Sequence, residues 1–309
     1  MNAFALTPFL ISAVLCATGG RLGRRLPPQA AAGLLTASAL ATALASGVVL
    51  SLAGVSALGQ VPPIARLGHW SPGVLRNATA LPVAVSALAG ILAFALLVAG
   101  VYRGVRTAHA ISVAASTCRQ LGPGADGLVV IDDDEPTAYT VAGFTGRIVV
   151  STAMLRALSA AERGAMLAHE AAHLRRRHHV YTQLTDIAAA ANPLLRPLSG
   201  AVRLAVERWA DEAAAEVTGD RELVARALAR AGLARVAARP SYPDVVLAAA
   251  ETHLAVRVRA LLDPPPRHRA LTSALVVALT AGTILTTATT TTAFHAHVET
   301  AQTVYIQQK

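Results

Sequence analysis

The chain reads as an α-helical membrane protein that carries an α+β, mostly helical domain outside the bilayer, and three observations lead there. Hydrophobic residues make up 54% of its 309 positions and charged residues only 15%, with a mean hydropathy of +0.49, too apolar for an ordinary soluble domain. The apolar residues gather in uncharged runs at about 3–20, 30–58, 81–102 and 270–294, each close to or above the length that spans a bilayer. Between the third and fourth runs, residues 105–265 have the mixed composition of a soluble domain.

Arginines mark the ends of these runs: Arg21, Arg24 and Arg25 follow the first, Arg103 and Arg106 the third, and Arg267 and Arg269 precede the fourth. By the positive-inside rule they place 105–265 in the cytoplasm, with three spans in residues 1–104, a fourth at 270–294 and a short external tail at 295–309. The charges of the first run come after its apolar core, whereas a cleaved secretory signal carries them before it, so an uncleaved span is expected. Residues 60–80, with Pro62-Pro63 and an interfacial Trp70, read as an external loop. The net charge of +9 is explained by these flanks, and no nucleic-acid binding is expected because the arginines lack interleaved aromatics. Cys16 and Cys118 imply no disulfide framework.

Inside the domain, the β-branched runs 127–132, 138–142 and 147–151 predict a small sheet. Ser159 to Glu162 then has the spacing of a capping box. It opens a helix bearing His169-Glu170-Ala171-Ala172-His173. Residues four apart share a helical face, so His169 and His173 can aim two imidazoles at one ion, with Glu170 beside them to handle a proton. Arg175 to Arg177, His178 and His179 fit the helix's negative C-terminal end, a structural role. Residues 188–204 are apolar but broken by Asn192-Pro193 and Arg196-Pro197, and read as a turn between packed helices. The next helix runs to Val217 and stops at Gly219.

Two histidines leave a catalytic zinc site one protein ligand short. Glu207 is the preferred third, because Asp211 one turn along the same face can orient a ligating histidine through its ring N–H. Asp186, Glu212, Glu216 and His253 are the competitors. One Zn²⁺ per chain is expected.

Ala168-His169-Glu170-Ala171-Ala172-His173-Leu174 together with Glu207-Arg208-Trp209-Ala210-Asp211 resembles the gluzincin integral-membrane metallopeptidases, which comprise the HtpX and CAAX-protease group and the BlaR/MecR-type transducers. The resemblance implies a zincin-like metalloprotease domain in which His169, His173 and Glu207 bind zinc and Glu170 is the general base. Thr137-Ala138-Tyr139 resembles the family's Asn-Ala-Phe on the substrate-side strand, with Thr in place of Asn. His253 and Arg257 resemble its late His and Arg at the substrate or oxyanion, although Leu254 stands where Pro commonly follows that His. HtpX-like enzymes carry spans between the H-E-x-x-H helix and the third ligand, and 180–206 reads as having none. Three spans before the domain and one after it are therefore similar to the BlaR/MecR type, without its penicillin-binding sensor domain.

The expected function is that of a zinc endopeptidase in a bacterial plasma membrane, cleaving a protein substrate at the cytoplasmic face. A winged-helix repressor is a possible substrate. Membrane-protein quality control is the alternative, and a non-catalytic receptor or scaffold the third reading.

Overall fold

The computed structural model describes residues 3–78, 81–120, 127–141, 146–238, 244–264 and 270–308. After a 3₁₀ turn at Ala3–Leu6, α1 spans Thr7–Arg25. Leu26, held extended before Pro27, ends it. Helix α2 (Pro28–Leu58) starts on Pro28, whose missing N–H costs nothing in a first turn. The expected loop at 60–80 contains two short helices, α3 (Pro62–Leu67) and α4 (Pro72–Ala78), each opened by proline in the same way. Residues 79 and 80 lie outside the described set.

Helix α5 (Val83–Gln120) runs far past the expected end of the third span at 102. The run through Arg103 and Arg106 holds neither Pro nor a capping pattern, so span and domain share one continuous helix. Helix α12 (Ala270–Gln307) likewise continues beyond 294, since no Gly or Pro follows Gly282. Arg267 and Arg269 lie outside the described residues. Helices α2, α5 and α12 are long and apolar enough to cross a membrane. The 19-residue α1, which carries Arg21, Arg24 and Arg25, is not among them. Gly54 of α2 and Gly90 of α5 face each other so closely that a Cβ on Gly54 would come 2.5 Å from the Gly90 Cα. Two backbones meet there because neither residue has a side chain.

Three strands, β1 (Leu128–Ile131), β2 (Ala138–Val141) and β3 (Arg147–Ser151), form the expected sheet in the order β1-β3-β2. The expected end of the second strand, Ala142, lies outside the described residues. The central β3 pairs parallel with β1 and antiparallel with β2, which leaves β2 at an edge. Helix α6 (Thr152–Ala157) is capped by Ser151, and α7 (Ala160–Arg175) by the predicted capping box of Ser159 and Glu162.

Two expectations change beyond α7. Arg177 takes a left-handed conformation (φ 50°) that ends that helix, and His178 and His179 become the first turn of α8 (His178–Ala191) rather than the tail of α7. Helix α8, a 3₁₀ turn at Pro193–Leu195 and α9 (Arg196–Thr218) then form a hairpin, turning at Asn192-Pro193 as the prolines suggest. Its packing partners, however, are α1, α2 and α5. At the tip, buried Asn192 donates to Ser12 of α1 at 2.9 Å and Ser46 of α2 at 3.2 Å. Ser12 lies roughly 20 Å along α1 from its arginine end at 1.5 Å per residue. The hairpin thus penetrates the helical bundle, which the proline-broken hydropathy of 188–204 concealed. Leu195, Leu198, Val202 and Ala205, buried in its contacts with α1 and α2, supply the apolar seam. Helices α10 (Arg221–Ala238) and α11 (Asp244–Leu262) close over α7 and α9.

Candidate metal centre

Helix α7 presents His169 and His173 on one face, and α9, anchored in the bundle, presents Glu207 against them. Their Nε2 atoms are 3.1 Å apart. Oε2 of Glu207 lies 3.7 Å from His169 Nε2, and Oε1 lies 3.7 Å from His173 Nε2. A tetrahedral ion with bonds of about 2.0–2.1 Å separates its donors by about 3.3 Å, so these three distances fit one ion between two imidazoles and a carboxylate. Among the described residues, this is the group of three such side chains that could hold a metal.

A carboxylate and a guanidinium support the donors. Asp211, buried on α9, puts Oδ1 2.9 Å from Nδ1 of His169, in a contact bent away from ideal hydrogen-bond alignment. Arg257 of α11 donates from Nε and Nη2 to both Asp211 oxygens, at 2.8 and 2.7 Å, and its Nη1 lies 2.9 Å from Glu207 Oε2. Burial would raise the Asp211 pKa, but the bonds from Arg257 and His169 outweigh it and hold the carboxyl well below its usual range. Burial would lower His169, and Asp211 reverses the shift. His173, lacking such a carboxylate, is lowered by burial and then by the neighbouring His169. His178 is pushed down to about 3 by burial and the adjacent His173.

Glu170 lies beside the donors, on the side of the sheet. Its Oε2 accepts from the Thr140 hydroxyl at 2.7 Å, which ties the carboxylate to β2. Sequence reasoning missed Thr140. The signal available was weak: Thr140 follows the noted Thr137-Ala138-Tyr139 in an alternating strand. Ala138, Tyr139 and Thr140 form one wall of a cleft of about 680 Å³ that contains the three candidate metal donors and Glu170. Apolar residues of α10, including Val224, Leu228 and Ala231, form another wall, and His253, Leu254 and Arg257 of α11 complete it.

The competitors for the third ligand are placed elsewhere, except His253 in the cleft wall. Asp186 pairs with Arg103 and Arg203, both at 2.6 Å. Glu212 pairs with Arg221, and Glu216 sits 4.0 Å from Arg176. Arg257, expected at the substrate, has its guanidinium engaged by Asp211 and Glu207 while still lining the cleft.

A cleft with two imidazoles, a carboxylate ligand set and an adjacent acid, joined to helices of membrane-crossing length, has the makings of a membrane-associated metallopeptidase. The model of Peptidase family M48 matches residues 106–191. The match covers the end of α5, the sheet and α6 to α8, including His169, Glu170 and His173; it supports a metallopeptidase and stops short of Glu207. No curated protein and no solved structure matches the chain.

Proposed function

We propose that the protein is a zinc-dependent endopeptidase embedded in a membrane, which hydrolyses a protein substrate at the cytoplasmic face. The observation that carries this reading is the placement of Glu170, held by Thr140 beside His169, His173 and Glu207. The level of the site supports the membrane part. Next to Glu207, buried Arg208 donates to the Gly23 and Arg24 carbonyls at 3.1 and 3.3 Å, which sets the cleft level with the arginine-rich end of α1.

His169, His173 and Glu207 would hold the zinc, and the ion would supply Lewis acidity to a water molecule and to the scissile carbonyl. Glu170 takes a proton from the attacking water as its oxygen bonds to the carbonyl carbon. As the C–N bond breaks, Glu170 returns that proton to the departing amine. Thr140 limits the directions in which the carboxylate can swing. Asp211 orients His169, and Arg257 restrains Asp211 and Glu207 together. His253 faces the same cleft and is our candidate for contact with the substrate, with Arg257 adding positive charge near the reacting carbonyl. The β2 edge offers an extended peptide a strand to pair with.

Cleavage of a single regulator, such as a winged-helix repressor, is the role the span arrangement suggests. One observation favours the second role, membrane-protein quality control. The α8–α9 hairpin enters the bundle between the H-E-x-x-H helix and Glu207, the interval where HtpX-like enzymes carry membrane segments. Both roles require the same chemistry. Purified protein should cleave an unfolded protein such as casein, lose that activity to 1,10-phenanthroline and regain it with added Zn²⁺. Cleavage indifferent to chelation would exclude the proposal.

A further inference from the structure

When His169 and His173 offer Nε2 to an ion, each ring carries its proton on Nδ1, and that proton needs an acceptor to fix the ring's tautomer and tilt. Asp211 faces Nδ1 of His169. The His173 Nδ1 lies 3.1 Å from Nδ1 of His178. We infer that His178 is the positioning residue for His173, accepting the His173 Nδ1–H so that Nε2 is presented to the metal. The inference rests on the metallopeptidase reading above.

The chain is shaped to make this contact. On an unbroken helix, a residue five positions on would be rotated about 140° away from His173 at 3.6 residues per turn. The left-handed Arg177 (φ 50°) interrupts α7 and brings His178 back towards the ring. A non-glycine residue in that conformation is strained, and the surrounding packing must offset the strain. His178 is 1% exposed, and its ring lies 4.7 Å from that of Trp209, centroid to centroid. If its Nδ1 accepts from His173, its own proton is on Nε2, which is buried without a hydrogen-bond partner among the described residues. A residue serving packing alone would avoid that cost by being apolar. Its polarity is explained by the bond on the other nitrogen.

Two substitutions separate positioning from packing. His178→Leu keeps an apolar body against Trp209 and removes the acceptor, whereas His178→Asn keeps an acceptor near the position of Nδ1 with less bulk. Full-length protein in detergent would be titrated with Co²⁺ alone, in competition with a chromophoric chelator, and the Co²⁺ absorption spectrum recorded. We expect His178→Leu to bind about 10- to 100-fold more weakly with an altered spectrum, and His178→Asn to stay close to wild type in both. Wild-type affinity and spectrum in His178→Leu would overturn the inference. So would a folded His178→Asn protein that binds tenfold more weakly, a result that decides the matter even if the Leu variant fails to fold. Should wild type itself bind no Co²⁺, the metal site fails along with the positioning; binding by wild type that ignores His178 overturns the positioning alone.

Discussion

Glu207 and Asp211 sit one turn apart on α9, yet their surroundings divide their work. Glu207 is part-exposed and turns both oxygens towards the histidines, whereas Asp211 is almost fully buried, with Arg257 and His169 for partners. Glu207→Ala should therefore abolish tight zinc binding as His173→Ala does, while Asp211→Ala should weaken it about 10- to 100-fold, measured by chelator competition. Equal zinc affinity in Glu207→Ala and wild type would move the third ligand elsewhere, with His253 the competitor that lines the cleft. His169 and His173 were legible in the sequence because their four-residue spacing alone puts them on one helical face, with Glu170 beside them. Thr140 and the His173–His178 contact were not, since each depends on a strand or a left-handed turn brought back to α7 from outside its own periodicity.

At the scale of elements, the capping box of α7 makes a prediction in pH. Burial would raise the Glu162 pKa, but the bonds from Ser159 and the charge of Arg230 prevail and lower it below its ordinary 4.5. A carboxylate with a depressed folded pKa contributes stability above its unfolded pKa and loses it as pH falls through the folded value. Glu162→Gln keeps a capping acceptor but loses the charge, so it should lower stability by only about 0.5 kcal/mol at pH 7, a small loss because Arg230 is half-exposed. Thermal melts in detergent should converge with wild type as pH falls below the ordinary 4.5 and through the lowered folded value; a gap that widens on acidification would contradict the assignment. That cap and the three strands could be read in advance because local patterns specify them. Helix lengths could not: α5 and α12 overrun their apolar cores because hydropathy marks where lipid ends, whereas a helix continues until something stops it. The hairpin of α8 and α9 escaped for a related reason. Asn192, Pro193 and Pro197 break its hydropathy, and the Asn192 side chain is accommodated by donating to Ser12 and Ser46 and accepting from the Leu194 N–H.

For the whole molecule, exposed apolar side chains such as Leu88, Ile91 and Phe94 on α5 and Leu285 on α12 fit a lipid surround. We propose from the arginine flanks that the sheet and cleft lie in the cytoplasm with both termini outside, which requires α1 to cross as well. In a background without Cys16 and Cys118, Asp134→Cys should resist an impermeant thiol reagent in intact cells while Gln307→Cys reacts; the reverse pattern would invert the topology. The central claim is that Glu170 moves the proton in peptide hydrolysis while His169, His173 and Glu207 hold the metal. Its most direct test is purified Glu170→Gln protein assayed beside wild type for zinc content and cleavage of the same substrate. Full zinc occupancy with a rate lower by about 10² to 10⁴ is the predicted result. A zinc-replete Glu170→Gln protein that cleaves like wild type would contradict it.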